Sequence, residues 1–215
     1  MDIYPLGHSS FRIKGKTATV VTDPFDASLV GFPFPKHTAA DIVTVSHAHA
    51  DHNQTALIEG SPYIVEGPGE YEIKGVGIIG IPVYHDEKKG ADRGIVTAYH
   101  IEIDELNIVH LGDIGAMPTS DEIERLDGVD VLFIPVGGSF TLNLGQVASL
   151  ISELEPSVVI PMHYKTARHN PKEFGALTGI PEFLKTMGKE AVPAIPKFST
   201  TKDKLPTEMQ IIVLE

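Results

Sequence analysis

One short stretch constrains this chain more than any other: Ser46-His47-Ala48-His49-Ala50-Asp51-His52-Asn53, set directly behind Asp41-Ile42-Val43-Thr44-Val45. The leading run is short, apolar and β-branched, the pattern of a buried strand. In extended backbone, side chains at i and i+2 point the same way, so His47 and His49 can reach one ion. If the chain then turns into a helix, Asp51 and His52 can project across the same pocket to a second ion. Four donors do not complete two metal sites. The fold must therefore carry further polar groups to the end of this strand.

Composition narrows the chemistry. The 215 residues include ten His and no Cys. The absence of Cys excludes a disulfide framework, a thiolate zinc ribbon and a Cys nucleophile. A site built from imidazole and carboxylate suits zinc, manganese, iron or nickel, with zinc the usual choice in His-rich hydrolases. Seventeen basic against 29 acidic side chains leave a net charge of −12, which disfavours a nucleic-acid polyanion as partner. Metal in a pocket would still attract a single phosphate. Residues 1–20 lack a basic segment followed by an apolar one, so no secretory signal is expected. Apolar runs such as Val131–Val136 fall far short of the roughly 20 residues that a membrane span needs. The expectation is one cytoplasmic domain over 1–215, with a small-molecule substrate and no membrane partner. Oligomeric state is not encoded in any pattern we can read.

Strand patterns dominate the first two thirds. Phe11–Ile13 and Thr17–Thr22 read as a hairpin, and Phe25–His37 as a Phe- and Pro-rich loop. Tyr63–Glu66, Tyr71–Lys74, Val76–Val83, Ile95–Ile103 and Leu106–Leu111 read as a run of antiparallel hairpins. The period then changes. Thr119 predicts a helix start, with Glu122 closing a capping box over Thr119–Leu126. Val131–Val136 and Val158–Pro161 read as strands. Leu144–Leu154 and Pro181–Gly188 read as helices. Residues 189–208 look irregular, and Met209–Leu214 reads as a final strand. Strands followed by alternating helices and strands predict an α+β chain of two sheets with helices outside.

Three further polar groups follow predicted strands: His85, Asp113 in His110-Leu111-Gly112-Asp113, and His163 in Pro161-Met162-His163-Tyr164. Loops beyond rigid strands are a common seat for functional groups. With these spacings, His47-Ala48-His49-Ala50-Asp51-His52 resembles the H-x-H-x-D-H motif of the metallo-β-lactamase superfamily, over nearly the whole chain. Gly7-His8-Ser9-Ser10-Phe11, Thr22-Asp23-Pro24-Phe25 and Gly67-Pro68-Gly69-Glu70-Tyr71-Glu72 are similar to the branch of Zn-dependent hydrolases that includes ascorbate-6-phosphate-lactonase-like proteins. The resemblance implies a four-layer αβ/βα sandwich of mostly antiparallel or mixed sheets, with a metal site at one edge between them. It assigns His47, His49 and His85 to one ion and Asp51, His52 and His163 to another, with Asp113 bridging. It also implies a metal-dependent hydrolase using a bridging hydroxide on a small ester, lactone or phosphoester, with Asp51 as the catalytic carboxylate. Metal lowers the pKa of bound water toward ~7, which makes such a nucleophile accessible at neutral pH.

Two departures bear on the chemistry. Ile114 follows Asp113 where many superfamily members carry Thr, and His49 stands where diiron flavoprotein relatives carry Glu. The second argues against redox iron. A nuclease or RNA-processing phosphodiesterase and a mononuclear iron sulfur oxygenase are the alternative functions. His8, Asp23 and Tyr164 are candidates to support a ligand or face substrate, with turn or packing roles as the plain alternative. His110 reads as a packed strand residue, and His37, His100 and His169 as solvent or fold residues. Arg93, Lys165 and Arg168 read as solvated surface charges or as a grip for a phosphate or carboxylate, and Glu70 and Glu72 as a solvated strand face.

Overall fold

The computed structural model describes residues 1–215. The strands are β1 (Asp2–Gly7), β2 (Ser10–Lys14), β3 (Thr19–Thr22), β4 (Ile42–Val45), β5 (Tyr63–Glu66), β6 (Gly69–Ile73), β7 (Val76–Tyr84), β8 (Ile95–Ile103), β9 (Leu106–His110), β10 (Val131–Pro135) and β11 (Val158–Met162). Four two-residue strands follow: β12 (Ala194–Ile195), β13 (Phe198–Ser199), β14 (Gln210–Ile211) and β15 (Val213–Leu214). The helices are α1 (Ala27–Val30), α2 (Ser120–Leu126), α3 (Leu144–Leu154), α4 (Pro171–Phe174) and α5 (Ile180–Thr186). One sheet has the order β13-β1-β2-β3-β4-β5 and the other β14-β11-β10-β9-β8-β7-β6. Both are mixed. This is the metallo-β-lactamase sandwich expected from the motifs.

Burial on both faces explains the apolar runs. Along β4 every residue is buried. Ile42 faces the core between the sheets, and Val43 and Val45 face the outer cluster. Along β10, Val131 and Phe133 face inward, while Leu132 and Ile134 face the helices. The strand period of two turns one continuous apolar run into two interfaces. The outer face of the second sheet is covered by Leu126 of α2, by Val147, Leu150, Ile151 and Leu154 of α3, and by Phe183 and Leu184 of α5. The first sheet has a thinner outer layer. Phe25, Val30, Phe32 and Phe34 of the 25–34 segment pack there with Phe174 and Leu177. No helix is long and apolar enough to cross a membrane.

Several local expectations change. The run of hairpins breaks at residue 67. β5 pairs in parallel with β4, and β6 opens the other sheet. The Gly67-Pro68-Gly69 link crosses between the sheets, with Gly67 at φ 87 and a Pro that donates no hydrogen bond. Tyr99 of β8 fastens this crossing: its hydroxyl accepts from the Gly67 amide at 3.1 Å and donates to the Val45 carbonyl at 2.8 Å. Residues 47–52 form turns rather than the start of an α-helix, and only a 3-10 turn follows at Thr55–Leu57. The 189–208 segment carries β12 and β13. The final strand divides at Ile212, one half pairing with β11 and the other with β12. The capping box at Thr119 and Glu122 is present.

Strand direction sets the site. β1 and β3 are both antiparallel to β2, and β4 is parallel to β3. In the second sheet β7 and β9 are both antiparallel to β8, and β10 and β11 run parallel to β9. In each sheet, therefore, these strands end on the same side. The residues just beyond them are His8, Asp23 and His47–His52 from the first sheet, and His85, Asp113 and His163 from the second.

Candidate metal centre

The carboxyl ends of the two sheets meet in three overlapping donor groups: His47, His49 and His85; His47, His52 and Asp113; and His8, Asp51, His52 and His163. Within each group the ligand-type atoms all lie within 4.8 Å of one another. Asp113 Oδ2 lies 3.2 Å from His52 Nε2, 3.2 Å from His163 Nε2 and 3.8 Å from His85 Nε2. It is the carboxylate in the middle. Asp51 Oδ2 lies 3.5 Å from His52 Nε2 and 3.9 Å from His163 Nε2. All these residues are buried except His49, which is exposed.

Close packing seats the loops that carry the donors. A Cβ on Gly115 would sit 2.2 Å from the His85 carbonyl oxygen, and one on Gly137 equally close to that of His163. Only glycine lets the backbone approach so closely. His8, Asp23 and His163 have φ of 55, 38 and 51. This sparsely populated conformation often marks functional loops. His110, read as a packing residue, is fully buried against Phe11 and Phe133. It also donates from Nε2 to the Ser9 carbonyl at 2.9 Å and accepts from the Gly112 amide at 3.2 Å. It thereby ties the His8 turn to the Asp113 turn.

Asp23 supports two donors at once. Its Oδ2 accepts from His52 Nδ1 at 2.8 Å and from the Ser46 hydroxyl at 2.6 Å. Its Oδ1 accepts from the Ser46 amide at 2.8 Å. The Ser46 hydroxyl spends its proton on Asp23, so it accepts from His47 Nδ1 at 2.9 Å. Both imidazoles are thus held with Nδ1–H, leaving the Nε2 lone pairs for coordination. A carboxylate behind a ligating His commonly fixes its tautomer this way.

Charge at the centre also suits a cation. Burial alone would raise the Asp113 pKa, but the neighbouring His163 and His52 imidazoles outweigh it and hold the carboxyl well below its usual range. Asp51 is lowered for the same reason: burial opposes, and His52 and His8 prevail. Burial pushes His47 down to about 3, with His52 adding to the effect. For His52, burial acts downward, but Asp113 and Asp51 raise it well above the ordinary imidazole value. The carboxylates therefore favour positive charge at this point, which a divalent ion supplies. Buried His52 Nε2, His85 Nε2 and Asp113 Oδ1 have no hydrogen-bond partner, an uncommon and costly state for polar atoms unless a ligand completes them. This donor set fits divalent metal.

Other candidates lie elsewhere. Tyr164 packs against the helix-side core and lines a cavity of about 540 Å³ with His8, Arg168 and His169, and it belongs to none of the donor groups. Tyr164 lies beyond the end of β11, after the positive-φ turn at His163. The Arg168 guanidinium stacks over Phe32 at 4.1 Å, and that of Arg93 over Phe140 at 4.4 Å. Lys165 donates to the Gly175 carbonyl at 2.7 Å. Glu70 and Glu72 are exposed. Sequence reasoning missed His169, which is 7% exposed and lies 3.2 Å from His8. No local pattern marks it, because its partner is 161 residues away.

Comparisons with known proteins bear on the fold and the family. The family model described as "Beta-lactamase superfamily domain" matches residues 2–163. A UPF0173 metal-dependent hydrolase of Thermococcus onnurineus is 31% identical over 206 residues, covering 81% of this chain and 90% of the relative. The crystal structure of a candidate Zn-dependent hydrolase of the metallo-β-lactamase superfamily from Thermotoga maritima aligns with TM-score 0.81 and 30% identity, covering 100% of this chain and 98% of that one. An isothiocyanate hydrolase from Delia radicum gut bacteria aligns with TM-score 0.69 at 13% identity over 94% of this chain and 99% of its own, which speaks to the fold alone. With its motifs, sandwich and buried His/Asp donors all in agreement, this chain belongs to the β-lactamase superfamily domain family, among its metal-dependent hydrolases.

Proposed function

We propose that this protein is a dinuclear metallohydrolase, zinc-loaded in preference to manganese, iron or nickel, that adds water across a small ester, lactone or phosphoester. The observation that carries this reading is the convergence of two donor groups on Asp113. His47, His49 and His85 would hold one ion. Asp51, His52 and His163 would hold the other, with Asp113 shared. When bound, the ions would acidify a water and polarise the scissile carbonyl or phosphoryl group. Asp51 orients the attacking water and takes its proton at a carboxylate oxygen. Asp23 keeps His52 in the tautomer that ligation requires, and through Ser46 does the same for His47. Exposed His49 marks the solvent side of the centre, where substrate enters. The net charge of −12 favours a small substrate over a polyanion.

Elemental analysis of the purified protein tests the metal. A screen of zinc- and manganese-reconstituted protein against bis-p-nitrophenyl phosphate, lactones and thioesters tests the reaction. The expected result is two ions per chain, turnover lost on chelation and restored on reloading. Full turnover in metal-free protein overturns the reading. A single iron per chain without hydrolysis replaces it with the oxygenase alternative.

A further inference from the structure

By distance alone, His8 belongs with the donors Asp51, His52 and His163. Its hydrogen bonds say otherwise. His8 Nε2 lies 3.2 Å from Asp51 Oδ2, and His8 Nδ1 lies 3.2 Å from His169 Nε2. His169 Nδ1 in turn accepts from the backbone amide of Thr166 at 3.1 Å, with the Thr166 hydroxyl 2.9 Å away. A backbone N–H can only donate. His169 Nδ1 is therefore an acceptor, and the proton of neutral His169 sits on Nε2. That proton points at His8 Nδ1, which becomes an acceptor, so His8 carries its own proton on Nε2 and donates to Asp51. The other end of the chain gives the same answer independently, because an ionised carboxylate only accepts. Every link has one donor and one acceptor, and the direction runs from Thr166 inward to Asp51.

We propose that His8 is not a metal ligand but a positioning residue, an N–H donor that fixes the Asp51 carboxylate, with its tautomer set by His169 and the Thr166 amide. Ligation through His8 Nε2 would move its proton to Nδ1. His169 would then need lone pairs on both ring nitrogens, an imidazolate. The relay also does not drain protons from the centre. Its donors point inward, and it ends on an amide that releases none. Its effect is to hold in place Asp51 Oδ2, the same oxygen that faces His52 and His163. The surroundings lock this arrangement. The His8 ring centroid is 4.3 Å from that of His163 and 5.0 Å from that of Phe174, and the His169 ring packs 5.2 Å from Phe32 and 5.5 Å from Phe174. The two histidines arrive from opposite ends of the sequence, one on the β1–β2 turn and one beyond β11, so the relay also sets the relative position of those loops.

This inference rests on the metal-binding reading above, and its test separates the two. Long-range ¹H–¹⁵N spectra of the metal-free protein at neutral pH report the tautomers without any ion. Both His8 and His169 are expected as neutral Nε2–H forms. An Nδ1–H or doubly protonated His8 overturns the relay whatever the protein binds. In protein loaded with ¹¹³Cd, His47 and His52 are expected to show coupling to cadmium at Nε2, and His8 none. Coupling at His8 overturns the proposal. Absence of cadmium binding overturns the metal reading and leaves the tautomers standing. His8→Phe keeps a ring without the donor, and His8→Gln restores an N–H at about the same reach. Both bear the same positive-φ backbone, so strain cancels between them. His8→Phe is expected to weaken one of two bound ions by about 10- to 100-fold and spare the other, with His8→Gln recovering most of the loss. Equal weakening of both ions, or no difference between the two variants, overturns the positioning role.

Discussion

His47, His49 and His85 stand at the open side of the centre, and the Asp51–His52–His163 group stands behind them. The two groups use similar donors but are held differently. In the front group His47 is held at Nδ1 by Ser46 and meets His49 Nδ1 at 2.9 Å through Nε2, His49 is exposed, and neither ring nitrogen of His85 has a partner. In the rear group His52 is fixed directly by Asp23 and Asp51 by His8, while His163 Nδ1 has no partner. Orientation by neighbouring carboxylates and N–H donors is worth about 10- to 100-fold in metal affinity. The contrast teaches that one centre can contain a firmly built half and an adaptable half, with Asp113 common to both.

The most damaging single change is at that shared carboxylate. Asp113→Ala should abolish turnover and reduce metal content at both groups, measured by elemental analysis beside activity. A variant that retained both ions would break the comparison, since Asp113 would no longer be common property. Asp23→Asn should weaken metal binding by about 10- to 100-fold with an effect on both groups, whereas Ser46→Ala should touch the front group and fall nearer a few-fold. Competition titration with a chelator reads the two steps. It should also show the front ion leaving first in the unmodified protein, and simultaneous loss would erase the distinction between halves. Gly115→Ala should cost about 1–3 kcal/mol in urea unfolding, because the added methyl meets the His85 carbonyl. It should loosen the front group without altering the rear one.

The smallest expected effect is a pH dependence of the metal-free protein. Burial holds His8 near pKa 3 and His169 near 4, below the ordinary value of 6.5. Unfolded chain therefore takes up protons that the folded chain refuses. Their contribution is fully present above about pH 6.5 and is lost as pH falls through that range toward 4. Melting temperature should drop across this interval in chelator-treated protein, and a flat profile would show that these histidines protonate in place. His8→Gln, which cannot titrate, should flatten part of the slope.

Local chemistry was legible in the sequence, and long-range pairing was not. The capping box at Thr119 and Glu122 and the helical spacing of Leu144–Leu154 depend on neighbours three or four residues away, and both appear in place. The strand ahead of His47 announces itself because burial on both faces demands a continuous apolar run. Tyr63–Glu66 shows the limit. Its period marks a strand, but nothing local says that it joins β4 in parallel instead of folding onto β6. His169 shows the same limit in the site. It lacks a motif, and its meaning comes from a turn 161 residues away and from one backbone amide. Tyr164 shows the converse, since adjacency to His163 in sequence did not carry it into the centre.

The placement of donors across the two sheets has one more consequence. Each group draws from both: His47 and His49 follow β4 while His85 follows β7, and Asp51 and His52 follow β4 while His163 follows β11. An ion in either group would act as a rivet between the layers, adding to the apolar core and to the few hydrogen bonds, such as Tyr99–Val45 and His110–Ser9, that already join them. Binding that favours the folded chain raises its stability by mass action. Here that gain would be concentrated at the seam of the sandwich. Metal supply would then govern not only whether the chain can act but how tightly its two halves stay together.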